Sequence, residues 1–265
     1  MTFTSAVGAI FMFPLSGIIR LCVALRIHPN VLTFIGVCIN LAGAWALGVG
    51  RFKLAGFIMV AANLFDFIDG KVAHQTGMAS EFGGFWDSVM DRFSDLALFL
   101  GLVYLYASLQ RADYVLVTAL AMTFTVLTSY ARARAESVID KCKVGFMERP
   151  ERIVLFMIGA FTNRMAGVLW VILVLSIFSV ADRVILTYRV LERKTERPSV
   201  VDRSPLPVRM LWNAFFWTFE RATWQYDLMV IAILSFVWLI PPGWIGDPMA
   251  QGNGPIGWLL DLVNG

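Results

Sequence analysis

Long apolar segments separated by short polar turns make up most of the first 190 residues of the chain. A helix needs about 20 apolar residues to cross a bilayer. The pattern predicts an all-α, polytopic membrane helix bundle with six spanning helices, at roughly 30–50, 54–74, 83–109, 113–138, 150–163 with its neighbours, and 166–190. The first of them is expected to start at His28, Pro29 and Asn30, because proline and asparagine favour the entry of a helix.

The two ends of the chain have a different pattern from this core. Residues 1–27 predict a helix lying at the membrane surface, with a first spanning helix as the alternative. The polar, proline-containing stretch from 191 predicts an exposed linker that ends, by 226, in an aromatic-rich interfacial helix. Residues 227–265 predict an extension with a short seventh span. The predicted domains are therefore a six-helix core at 28–190 and flanking pieces at 1–27, 191–226 and 227–265.

Composition and charge support a membrane location and suggest an orientation. The chain is 58% hydrophobic and only 15% charged, whereas a soluble domain has about a quarter charged residues. Sixteen of the 22 basic residues fall on the side that holds the turn near residue 78, and four fall on the other side. Because cytoplasmic loops carry the excess of Lys and Arg, that turn is expected to face the cytoplasm. No nucleic-acid partner is expected.

Four carboxylates lie in this apolar setting, on two predicted helices joined by a short turn. Asp66 and Asp69 share a face near the end of the second helix, and Asp87 and Asp91 share a face at the start of the third. Each carboxylate at the membrane centre costs roughly 2.5 to 3.5 kcal/mol. The two nearby cations, Lys71 and Arg92, cannot neutralise four carboxylates. Oxygen ligands alone favour Mg²⁺ or Mn²⁺, and four of them suit a site for two ions.

The full pattern is Asp66-x-x-Asp69-Gly70-x-x-Ala73-His74-x8-Gly83-x-x-x-Asp87-x-x-x-Asp91. It resembles the motif of the CDP-alcohol phosphotransferase family, D-x-x-D-G-x-x-A-R-x8-G-x-x-x-D-x-x-x-D. This chain has His74 at the position where the family motif has arginine. The resemblance covers roughly residues 28–190 and implies a homodimeric enzyme that transfers the phosphatidyl group of CDP-diacylglycerol to an alcohol and releases CMP.

The resemblance also implies roles for these residues. Asp66, Asp69, Asp87 and Asp91 would hold two Mg²⁺ or Mn²⁺ ions, with Asp91 also acting as general base. The nucleotide would lie against Asp66, Asp69, Gly70, Ala73, His74 and Gly83. Either His74 makes a weaker phosphate contact than arginine would, or another base such as Lys71 has taken over that role.

A second polar group lies on the next predicted cytoplasmic loop. It resembles the branch of the family that transfers to inositol phosphate, in which a serine and arginines bind the acceptor's phosphate. The matching residues are Ser129, Arg132, Arg134, Arg149, Arg152 and Arg183. The alternative is that they are ordinary positive-inside residues, which is the preferred interpretation of Lys141 and Lys143, whereas several converging arginines favour phosphate binding.

Inositol 1-phosphate is therefore the expected acceptor, with glycerol 3-phosphate as the alternative. Three other functions remain open at this point. They are an aromatic prenyltransferase, a cation-coupled transporter with carboxylates on its ion path, and a family member that has lost activity or changed its alcohol.

Overall fold

The computed structural model describes residues 15–192, residue 205 and residues 224–250, and all regular secondary structure in these ranges is helical. The residues outside these ranges are 1–14, 193–204, 206–223 and 251–265. The helices are α1 Leu15–Ala24, α2 Pro29–Gly48, α3 Phe52–Thr76, α4 Glu81–Ser108, α5 Ala112–Glu136, α6 Arg149–Thr162, α7 Met165–Leu191, α8 Trp224–Leu239 and α9 Pro242–Ile245.

The chain divides into two compact units, Met1–Gly101 and Leu102–Gly265, with the boundary inside α4. In the first unit, α2 and α3 pack closely along their length because α2 has glycine where the helices meet. A Cβ at Gly36 would contact Phe65, and one at Gly43 would contact Ile58. Small residues at such positions let two helix backbones approach each other.

The helix α1 supports the end of α3 that carries the aspartates. Leu15, Ile19 and Cys22 lie on one face of α1 and are buried against Ile68 and Val72 of α3. Two other apolar side chains of α1, Ile18 and Leu21, are exposed, as is Leu25 directly after the helix. A helix that exposes apolar side chains suits the predicted position at the membrane surface, which stays a prediction.

The turn between α3 and α4 is short and closed by local capping. Gly77 ends α3 in the left-handed conformation, at φ 68°, and its N–H donates to the carbonyl of Ala73. Four residues later α4 begins, and the Ser80 hydroxyl accepts the N–H of Gly83 at 3.0 Å. These caps supply partners to helix-end groups and fix the two helices as antiparallel neighbours.

In the second unit, the extension at 224–250 packs along the core helices. Tyr226, at the start of α8, donates a 3.3 Å hydrogen bond to Glu151 in the first turn of α6. At the other end of α8, Arg164 donates to the Ile240 carbonyl at 3.3 Å. Arg164 lies two residues after the end of α6, and Ile240 directly follows the end of α8. The helix α8 therefore runs parallel to α6, and the two helices are of similar length.

Three helices of the described part of the chain are long and apolar enough to cross a membrane, namely α2, α5 and α7. The other predicted spans are also helical, but α6 has only 14 residues and α3 contains charged residues, among them Asp66 and Asp69. The helical bundle is therefore confirmed, while the number of spans stays a prediction. The predicted linker and interfacial helix at 191–226 lie almost wholly outside the described residues.

We expect Gly101→Ala to lower the unfolding temperature in detergent. A Cβ at Gly101 would overlap the backbone of Ala44 on α2, so the helices must separate, and overpacking of this kind costs typically about 1–3 kcal/mol. The matched control is Gly17→Ala in α1, where a Cβ would meet nothing within 4 Å. The control should stay at the wild-type temperature or rise slightly, because alanine favours helix. Equal unfolding temperatures for the two variants would contradict the close crossing.

Candidate metal centre

Three carboxylates meet at the end of α3 and the start of α4. Asp66, Asp69 and Asp87 each offer one oxygen, and these oxygens all lie within 4.8 Å of one another. Asp66 and Asp69 are brought together by their spacing on α3, and the capped turn brings Asp87 of α4 beside them. Carboxylates this close repel each other unless a cation lies among them. Their hard oxygen donors fit a divalent ion such as Mg²⁺ or Mn²⁺.

Asp69 is held by a hydrogen bond from a neighbouring helix. Its side chain is buried, and the hydroxyl of Thr33 on α2 donates to its Oδ2 at 2.6 Å. This hydrogen bond fixes the rotation of the carboxylate, in the way that outer residues commonly orient metal ligands. Thr33 lies 36 residues before Asp69, and nothing in the local sequence indicates the contact.

A cavity of about 220 Å³ opens beside these carboxylates. It is lined by the start of α2, the end of α3, the turn and the start of α4: Pro29, Asn30, Thr33, Asp69, Gly70, Ala73, His74, Met78, Ala79, Ser80, Gly83, Gly84 and Asp87. A Cβ at Gly70 or Gly84 would have no neighbour within 4 Å, so both glycines leave space at the cavity. A ligand can therefore approach the backbone there.

The remaining residues of the motif differ in position. His74 lines the cavity and is exposed, whereas Lys71 does not line it and lies with its ammonium 5.4 Å from the ring centre of Phe67. Asp91 is one turn beyond Asp87 on α4 but is not part of the three-carboxylate group. Its side chain is largely buried, and it lies 3.9 Å from Arg92.

The predicted acceptor residues all belong to the second unit, and two of its arginines are deeply buried. Arg183 of α7 donates to the carbonyls of Thr128 and Val144, the latter at 3.2 Å. Arg152 of α6 lies 3.4 Å from the Met147 carbonyl. These two arginines therefore hold the loop between α5 and α6 in place.

The other four predicted acceptor residues are more accessible. Arg132 donates to Glu136 at 3.1 Å and to Glu148 at 3.0 Å. Arg134 is exposed and donates to the Ser137 hydroxyl. The remaining two, Ser129 and Arg149, are half-buried. Glu148 was not predicted, although its place beside Arg149 in the charged run ERPER is visible in the sequence.

Comparison with known proteins shows the family of the chain. Residues 26–181, more than half of the chain, match the profile described as CDP-alcohol phosphatidyltransferase. The chain belongs to the CDP-alcohol phosphatidyltransferase family. It is an integral membrane enzyme of that family, and the family resemblance expected from the motif is confirmed.

Two curated relatives of this phosphatidyltransferase are synthases of inositol phosphate lipids. The archaetidylinositol phosphate synthase of Pyrococcus horikoshii is 34% identical over 172 residues, which are 64% of this chain and 89% of the relative. The phosphatidylinositol phosphate synthase of Mycobacterium tuberculosis is 30% identical over 190 residues, which are 68% of this chain and 84% of the relative.

Crystal structures of the Mycobacterium tuberculosis enzyme share the fold. The structure with CDP-DAG bound has a TM-score of 0.62 and 26% identity, and covers 72% of this chain and 98% of that one. The complex with manganese and citrate has the same TM-score at 27% identity, and covers 72% and 93%. The manganese in this relative supports divalent metal binding by the phosphatidyltransferase family.

We expect Thr33→Val to weaken metal binding by about tenfold, since lost outer hydrogen bonds typically cost 10- to 100-fold in metal affinity. Valine keeps the shape of threonine but cannot donate to Asp69. The measurement is a Mn²⁺ titration of the purified protein followed by electron paramagnetic resonance. Thr118→Val is the control, because the Thr118 hydroxyl donates to Tyr114 of its own helix. Unchanged Mn²⁺ affinity in Thr33→Val would contradict the role of Thr33.

Proposed function

We propose that the protein transfers the phosphatidyl group of CDP-diacylglycerol to the hydroxyl of a phosphorylated alcohol, and that inositol 1-phosphate is this alcohol. The observation that carries the proposal is the group formed by Asp66, Asp69 and Asp87 beside a glycine-lined cavity. The choice of acceptor is supported by the relatives, which are inositol phosphate lipid synthases of two organisms. Glycerol 3-phosphate remains the alternative acceptor.

In this reaction the acceptor's oxygen forms a bond to the phosphorus of the phosphatidyl group, and the bond from that phosphorus to the CMP oxygen breaks. We propose that Asp91 accepts the proton of the attacking hydroxyl. Its position one turn from Asp87 supports this, since it lies next to the metal ligands without being one of the three grouped carboxylates. CMP leaves with the electrons of the broken bond.

We propose that the carboxylate group holds two Mg²⁺ or Mn²⁺ ions, with Asp91 contributing to the second. Bound divalent ions would stabilise the negative charge that develops on the phosphates. The protein's own residues supply the rest of the donor site. Gly70, Ala73 and Gly83 line the cavity in which the nucleotide would lie, and His74 lines it as well and would donate a hydrogen bond to a phosphate.

The orientation and the assembly are also proposals. The excess of basic residues on the side of the α3–α4 turn supports an active site that faces the cytoplasm. The apolar composition of α8, which runs parallel to α6, supports the proposed further span, and such a span would leave the end of α8 outside. A homodimer is supported by the family resemblance alone. For the acceptor's phosphate we propose Ser129, Arg132, Arg134, Arg149, Arg152 and Arg183.

We expect purified protein with CDP-diacylglycerol and Mg²⁺ to release CMP when inositol 1-phosphate is added, measured by chromatography of the nucleotide. Asp91→Asn should lower this rate by about 10²- to 10⁴-fold, because it removes the general base. Asp113→Asn is the control, since Asp113 pairs with Arg111 at 2.7 Å in an exposed turn.

Two outcomes would count against the proposal. CMP release with glycerol 3-phosphate but not with inositol 1-phosphate would overturn the choice of acceptor. No CMP release with either alcohol, in Mg²⁺ or Mn²⁺, would contradict the transferase activity itself.

We expect His74→Arg to lower the KM for CDP-diacylglycerol by roughly fivefold. A guanidinium at the cavity is always charged and can donate two parallel hydrogen bonds to a phosphate, whereas the histidine ring donates one. Gln75→Arg adds the same charge at the neighbouring exposed residue, which does not line the cavity, and serves as control. An equal KM for wild type and His74→Arg would mean that position 74 does not contact the nucleotide lipid.

A further inference from the structure

One carboxylate oxygen lies between two of the proposed acceptor arginines. Glu148 Oε1 accepts from Arg132 Nη1 at 3.0 Å and lies 4.0 Å from Arg183 Nη2. The Glu148 side chain is only 19% exposed, and that of Arg183 is 2% exposed. A carboxylate of the protein itself therefore supplies the negative charge between these two arginines.

Glu148 lies at a helix end, but its side chain interacts with the arginines rather than with that helix end. Glu148 is the N-cap residue of α6, and its side chain makes no capping hydrogen bond to that helix. Serine, threonine, aspartate and asparagine are the preferred residues at this position because they do cap. The Glu148 carboxylate does not take this capping role and accepts a hydrogen bond from Arg132.

One of the two arginines is fixed, whereas the carboxylate can rotate. Arg183 is held by two backbone carbonyls, and the loop that provides one of them is held by the Ser179 hydroxyl, which accepts the Met147 N–H at 3.1 Å. The Glu148 backbone follows this loop, but its side chain has three rotatable bonds. Arg132 is partly exposed and pairs with Glu136 as well as with Glu148. An anion that enters beside Arg183 can therefore displace the carboxylate without moving Arg183.

Several arginines and two carboxylates interact around this oxygen. Arg132 and Arg152 both act electrostatically on Arg183, as does the opposite charge of Glu148. Glu136 is the second carboxylate on Arg132, and it approaches from the exposed side at 3.1 Å. A phosphate carries more charge than a carboxylate and offers three acceptor oxygens, so it can compete for this position.

We propose that Glu148 occupies the place of the acceptor's phosphate between Arg132 and Arg183, and that it is displaced when the phosphorylated alcohol binds. This makes Glu148 a specificity-determining residue, because an unphosphorylated alcohol brings no anion that displaces the carboxylate. The inference rests on the proposed function, in which these arginines bind the acceptor.

The test is the KM for inositol 1-phosphate in Glu148→Gln. Glutamine keeps the size of the side chain but removes the competing charge, so this KM should fall by about tenfold, while the KM for CDP-diacylglycerol stays the same. Glu148→Asp keeps the charge and should remain within about threefold of wild type. Glu136→Gln is the matched control, which removes the exposed carboxylate from Arg132 and should lower the KM less.

The direction of the change separates this role from a structural one. If Glu148 only held the arginines in place, Glu148→Gln would raise the KM for the acceptor, and that result, or no change, would overturn the proposal. Should neither alcohol support CMP release in the wild type, the proposed function fails, and inorganic phosphate replaces the acceptor as probe. Glu148→Gln should then need about tenfold less phosphate than wild type for half of the thermal stabilisation, and equal concentrations would overturn the inference.

Discussion

Mutual repulsion among Asp66, Asp69 and Asp87 is the constraint on which the first unit depends. Three carboxylate oxygens within 4.8 Å are stable in an apolar chain only if the surrounding structure holds them together and a cation compensates their charge. The turn between α3 and α4 and the packing of α1 hold these carboxylates together. The capped turn at Gly77 and Ser80 fixes the two helices, and α1 packs beneath Ile68 and Val72, on either side of Asp69. These are ordinary packing and capping features, but each one raises the cost of separating the carboxylates.

The sequence predicted the parts of this arrangement that depend on local spacing. Residues three or four apart share a helix face, so the pairing of Asp66 with Asp69 followed from their positions on α3. The bounds of the helices agree with the apolar segments to within a few residues. Asp91 shares a face with Asp87 but is not one of the three grouped carboxylates, so its contact with a metal ion stays a prediction.

Contacts between distant parts of the chain could not be predicted. Thr33 approaches Asp69 only because α2 and α3 cross closely, and the spacing of 36 residues carries no periodic signal. The same holds for the extension at 224–250. Arg164, Asn163 and Tyr114 donate to the carbonyls of Ile240, Met249 and Ile245, respectively, and a backbone acceptor leaves no trace in the residue type. The family profile ends at residue 181, so these bonds attach a segment that the profile does not contain.

Arg183 and Glu148 show that buried charge in this protein takes two forms. Arg183 is committed to backbone carbonyls, and removing such a partner would leave a buried charge that is expensive to accommodate. Glu148 is only partly buried and meets its arginines through a rotatable side chain, so an exchange of its carboxylate for another anion leaves every guanidinium with a counter-charge. Substrate binding by exchange avoids the cost of first exposing, and then neutralising, uncompensated arginines in a membrane protein. A site built on a fixed cation, Arg183, and a displaceable internal anion therefore remains stable when empty, and it responds to a phosphate because only a comparable anion can complete the exchange.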